Sequence, residues 1–139
     1  MNGDRFFLDT AYILARVDRS DQYPRAAVTL ARKVRAAAEV WISEAVLIEV
    51  GNALSSTHRL EAANFIQQCY RTPNMRVIPL TTELMFEALD LYRARDDKRW
   101  GLTDCISFVV MQTTALSDAL TSDHHFRQAG FRAPLLEEG

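Results

Sequence analysis

The chain has 139 residues and a formal net charge of −2, with 48% hydrophobic and 24% charged residues. This suits one globular domain, residues 1–139, with room for a proper core, and excludes disordered and fibrous classes. The near-balanced charge excludes a globally basic nucleic-acid coat, so any nucleic-acid role would need a local basic patch.

Phe6-Phe7-Leu8 is short, aromatic and apolar, and predicts a buried strand. Asp9-Thr10 then caps a short helix through Ala11–Ala15. The polar stretch 18–23 is a loop, Pro24 fits a first helical turn, and Ala26 to Ala38 continues as helix. Val40-Trp41-Ile42 predicts the second strand. Ser43 caps the next helix, which runs to about Ser55 with Glu44 in its first turn, where the helix dipole favours an anion. His58 to Tyr70 is helical until Pro73-Asn74 breaks it. Met75 to Leu80 is the third strand, with Pro79 marking its end or an edge position. Thr81-Thr82 start a helix to about Arg95, and 96–101 is charged and irregular. Thr103 caps a helix to about Thr114, and Ala119-Leu120-Thr121 is the fourth strand. Asp123 starts a short helix ending near Gly130, and Arg132 to Leu136 adds a last short edge strand. Strands alternating with helices of this length predict an α/β sandwich around a parallel sheet, whose ligands bind beyond the carboxyl ends of the strands.

No apolar run approaches the ~20 residues that span a bilayer. No basic leader precedes a long apolar segment, so neither a membrane span nor a secretory signal is expected. Cys69 and Cys105 lie in helical sequence and read as free thiols in a reducing cytoplasm rather than a disulfide. Neither they nor His58, His124 and His125 have zinc-ligand spacing.

Four carboxylates stand inside core-type sequence: Asp9 at the end of the first strand, Glu49 within Ala45–Val50, Asp104 opening an apolar helix, and Asp123 after the fourth strand. A charge beside buried surface costs several kcal/mol, as a rough guide, unless something pairs with it. Four of one sign point to a bound cation. Taken singly, Asp9, Asp104 and Asp123 read equally well as helix caps or first-turn carboxylates. Glu49 is harder to explain that way. Its helical neighbours Ala45, Val46, Asn52 and Ala53 are mostly apolar or small, unlike a solvated face.

Other charged segments have plainer readings. Arg32, Lys33 and Arg35 form a solvated helix face. Arg93 to Trp100 is an exposed charged turn with Trp100 folded onto the core, in preference to a base-stacking platform. His124 and His125 belong to a helix surface, in preference to a proton-transfer role.

Phe7-Leu8-Asp9-Thr10, Ile48 to Leu54, Leu102 to Ser107, and Leu120 to Phe126 with Gly130-Phe131 occur in the order found in PIN-domain ribonucleases. Together they resemble the VapC-like toxins of toxin–antitoxin pairs over almost the whole chain. Cys105 departs from the small alanine common there, with little consequence expected. The resemblance implies a three-layer α/β/α sandwich on a short parallel sheet. It implies that Asp9, Glu49, Asp104 and, less uniformly, Asp123 surround Mg²⁺ or Mn²⁺. Thr10 and Thr121 would support the ion ligands, and Asn52 would stand behind them. The implied reaction is endonucleolytic hydrolysis of RNA leaving 5′-phosphate and 3′-hydroxyl ends. The implied partners are an RNA substrate, a cognate antitoxin and a second copy in a homodimer.

An acidic site must hold RNA by basic groups on its rim. Arg16, Arg19, Lys98 and Arg99 are the candidates, because they lie in loops near the site segments. An unpaired or loop substrate is expected. The alternative reading is a catalytically silent PIN-like module that binds a protein or RNA. A response-regulator receiver fits poorly, since Asp9 has no acidic neighbour and no lysine follows Lys98.

Overall fold

A computed structural model of the chain describes residues 4–17, 32 and 34–138, with backbone only at 16–17 and 137–138. The elements are β1 (Arg5–Leu8), α1 (Thr10–Val17), β2 (Glu39–Ser43), α2 (Glu44–Ala53), α3 (Arg59–Arg71) and β3 (Met75–Ile78). They continue with α4 (Thr82–Ala94), α5 (Leu102–Thr113), β4 (Ala119–Leu120), α6 (His125–Gln128) and α7 (Pro134–Glu138). Most of the helix expected over 26–38 lies outside the described residues; residues 34–36 are helical.

The four strands form one parallel sheet in the order β3-β2-β1-β4, flanked by helices, as expected for an α/β sandwich. The chain builds outward from β1 to β3, then returns to place β4 on the other side of β1. The strand order therefore reverses between β1 and β4. In an open parallel sheet that reversal leaves a crevice beyond the carboxyl ends of the two strands. Asp9 directly follows β1, and Thr121 directly follows β4. The two ends are tied where Asp9 N donates to Leu120 O at 3.1 Å.

Central strands buried on both faces need continuous apolar sequence. Phe6, Phe7 and Leu8 meet that need, and all three are buried. Phe7 lies near Phe126, whose ring meets Phe108 edge-on with centroids 4.9 Å apart. Trp100 stacks edge-on against the same Phe108 ring, also at 4.9 Å, and its Nε1 donates to Gln128 at 3.0 Å. The indole is thus part of the core, in line with the plainer reading of the 93–100 turn. Both cysteines are free and buried.

Helix starts follow local chemistry. The Ser43 hydroxyl accepts Val46 N at 3.2 Å and caps α2, and the Thr81 hydroxyl accepts Leu84 N at 3.1 Å and caps α4. β3 is an edge strand and ends at Ile78, one residue before Pro79.

Two expectations need correction. Helix α5 is capped by Gly101 rather than Thr103, because Asp104 reaches back to accept Gly101 N at 3.1 Å. The segment 132–136 is not a strand. Only Arg132 makes a bridge, with Asp118, and Pro134 then opens α7. Proline has no N–H for a sheet ladder but fits a first helical turn.

Candidate metal centre

Asp9, Thr10, Ala11, Leu14, Glu49, Gly101, Leu102, Thr103, Asp104 and Asp123 line one pocket of about 470 Å³. The four predicted carboxylates, separated by up to 114 positions in sequence, therefore converge at the sheet's topological switch. Each arrives by a different element. Asp9 ends β1, Glu49 projects from α2 where that helix packs on α1, Asp104 opens α5, and Asp123 lies in the turn after β4.

Asp9 is 5% exposed. Burial, with further repulsion from Asp104 and Asp123, pushes its pKa from the ordinary 3.8 up to about 7, although the Thr121 hydroxyl bond pulls the other way. Thr121 Oγ1 donates to Asp9 Oδ2 at 2.8 Å and accepts Asp123 N at 2.9 Å. This one buried hydroxyl joins the two strand ends and orients both acidic positions. The Thr10 hydroxyl donates to Glu49 Oε1 and so connects α1 to α2.

Burial also raises the pKa of Asp104, and the charge on Asp123 adds to the rise; the hydrogen bond from His125 opposes it. His125 Nδ1 lies 2.9 Å from Asp104 Oδ2 and 3.2 Å from Asp123 Oδ1. The His125 backbone N donates to the same Asp123 oxygen at 2.9 Å. Asp104, Asp123 and His125 each offer a ligand atom, and these atoms lie within 4.8 Å of one another. The helix-surface reading of His125 is therefore overturned, whereas His124 does stand exposed. The usable signal was the Asp-x-His spacing directly after a strand.

Among the described residues, no lysine or arginine forms an ion pair with any of the four carboxylates. Carboxylates crowded in a partly dry pocket without a lysine or arginine partner suit a hard divalent cation with oxygen ligands.

The other candidates are placed as follows. Thr10 and Thr121 touch the acidic groups. Asn52 does not reach the pocket. It lines a separate groove with Ile48, Gly51, Ile66 and Tyr70, because three helical residues turn it about 60° away from Glu49. Lys98 and Arg99 sit on the loop leading to Gly101 and do not line the pocket; Lys98 is half-buried and Arg99 exposed. Of Arg16 only the backbone, within α1, is described, and Arg19 lies outside the described residues.

The sequence profile of the PIN domain matches residues 6–132. No curated protein matches the chain. Among solved structures, the chain is similar to VapC20 of Mycobacterium tuberculosis, described as a sarcin-ricin-loop-cleaving toxin. The TM-score is 0.80 and the identity 25%, over 91% of this chain and 95% of that one. It is also similar to VapBC2 of Rickettsia felis bound to a DNA fragment from its promoter. There the TM-score is 0.64 and the identity 14%, over 94% of this chain and 96% of that one.

Proposed function

The chain belongs to the PIN domain family, and from that premise we propose that it is a divalent-metal-dependent endoribonuclease acting in the cytoplasm as the toxin of a toxin–antitoxin pair. Asp9, Glu49, Asp104 and Asp123 hold Mg²⁺ or Mn²⁺, and the substrate is an unpaired or loop segment of RNA. The observation that carries the reading is the buried Asp9 carboxylate, turned toward other acids with no basic partner among the described residues. The likeness to VapC20, described as a toxin that cleaves the sarcin-ricin loop, supports a loop substrate.

A bound divalent ion supplies a lowered water pKa and charge stabilisation for phosphodiester displacement. The chain's own groups set the geometry for it. Thr121 holds Asp9 Oδ2 in place, and through Asp123 N it fixes the turn after β4. Thr10 orients Glu49, and the Gly101 amide with His125 orients Asp104. Asp9 must release its proton before it can bind a cation, so ion uptake is coupled to proton release. Arg16, Arg19, Lys98 and Arg99 hold the RNA backbone at the rim, where positive charge offsets the repulsion between the acidic pocket and phosphate. A cognate antitoxin and a second copy of the chain complete the assembly.

The test is cleavage of a loop-containing RNA by metal-loaded protein, beside Mn²⁺ calorimetry. Asp9→Asn and Asp104→Asn should each lower cleavage at least about 100-fold and weaken Mn²⁺ binding while the circular dichroism spectrum is kept. Wild-type cleavage rates in either variant would refute the assignment.

A further inference from the structure

We infer that His125 is itself a ligand of the metal centre, through Nδ1, and that this nitrogen tilts the site toward Mn²⁺ over Mg²⁺; the inference rests on the metal-dependent reading above. The geometry carries it. Two ligand atoms in neighbouring octahedral positions, each about 2.1 Å from a small divalent ion, stand about 3.0 Å apart. His125 Nδ1 stands 2.9 Å from Asp104 Oδ2 and 3.2 Å from Asp123 Oδ1. The nitrogen thus already stands at that spacing from each oxygen, and the three residues' ligand atoms lie within 4.8 Å of one another.

The backbone sets that spacing. β4 ends beside β1, the Thr121 hydroxyl accepts Asp123 N, and Asp123 Oδ1 in turn accepts His125 N. Asp123 and His125 are thereby locked in one tight turn facing the first turn of α5. The His125 side chain is 29% exposed, which leaves room for a proton on the other ring nitrogen while Nδ1 offers its lone pair. His124, one residue earlier, is exposed and stands outside the cluster.

The donor set is therefore mixed: carboxylate oxygens and one imidazole. Mg²⁺ keeps its waters and takes oxygen ligands, whereas imidazole suits later divalent metals. A site with this nitrogen should accept Mn²⁺ with less loss than a site of oxygens alone.

The experiment is pulsed electron paramagnetic resonance of the Mn²⁺-loaded full chain, with Mn²⁺ and Mg²⁺ affinities measured in parallel. Wild type and His124→Ala should show nitrogen-14 modulation from a directly bound imidazole, and His125→Ala should lose it. In His125→Ala the ratio of Mn²⁺ to Mg²⁺ affinity should fall at least about tenfold, within the range by which metal-site partners act. Mn²⁺ bound by wild type without nitrogen modulation would overturn this inference alone and leave His125 as a hydrogen-bond partner of Asp104. No Mn²⁺ uptake at all would overturn the metal-dependent reading with it.

Discussion

Asp9→Asn should make the metal-free protein more stable, by an amount that depends on pH. The Asp9 pKa is raised from 3.8 to about 7. Between those values the folded chain holds a proton that the unfolded chain has released, so stability falls as pH climbs from about 4 and the loss is complete above about 7. At about 1.4 kcal/mol per pH unit, the raised pKa of Asp9 costs the fold about 1 kcal/mol at pH 4.5 and about 4 kcal/mol at pH 8. Asparagine carries no charge and keeps an oxygen that can accept from Thr121 Oγ1. The gain of Asp9→Asn over wild type should therefore widen by about 3 kcal/mol between those pH values. With a urea slope of about 2 kcal/mol per molar, the two midpoints should separate by about a further 1.5 M. The assay is urea unfolding in chelator at both pH values, repeated at pH 8 with Mn²⁺. At 100 times its dissociation constant, Mn²⁺ should return about 2.7 kcal/mol to wild type and much less to the variant. An equal gain at the two pH values, or none at pH 8, would refute the argument that a desolvated carboxylate strains the empty pocket.

Apparent Mn²⁺ affinity, measured by calorimetry, should rise up to about tenfold per pH unit as pH approaches 7 and then level off, with proton release visible as a dependence on buffer ionisation enthalpy. Thr121→Val removes the donor to Asp9 and leaves Asp123 N without its acceptor, so it should cost about 1–3 kcal/mol by thermal unfolding and shift the cleavage profile to higher pH; Thr121→Ser should restore both. Phe108→Ala, which removes the ring shared by Trp100, Phe126 and Phe131, should cost about 3–5 kcal/mol in urea unfolding and expose Trp100 to fluorescence quenchers.

Much of this architecture could be read from residues because local chemistry and global placement agree. Phe6-Phe7-Leu8 reads as a buried strand and is one, so the acid that follows it lies at the sheet's carboxyl edge. The same logic places Asp123. Glu49 stands out by the small and apolar residues around it, yet that helix face proves solvated: Glu49, Asn52 and Ala53 are exposed, and Glu49 reaches the pocket from its rim. What could not be read depends on distance in the chain. His125 resembles its neighbour His124 in sequence, and only the return of β4 beside β1, with α5 arriving opposite, separates a residue that touches Asp104 and Asp123 from a surface one. Asn52 follows Glu49 by a spacing that suggests a shared face, yet the residual rotation carries it into another groove. Gly101 and Thr103 are both acceptable caps, and the choice rests on one hydrogen bond from Gly101 N to Asp104. At the C-terminal end, Ala133-Pro134-Leu135-Leu136 has strand-like apolarity, but the proline decides for a helix.

Because β4 is laid beside β1 after every other strand is in place along the polypeptide, a nascent chain on the ribosome carries Asp9 and Glu49 long before it carries Asp104, Asp123 or His125. The pocket is complete only once the segment that carries β4 and Asp123 has been made. A nascent chain that stops short of β4 lacks both Asp123 and the Thr121 hydroxyl that holds Asp9, so it cannot present the full set of four carboxylates.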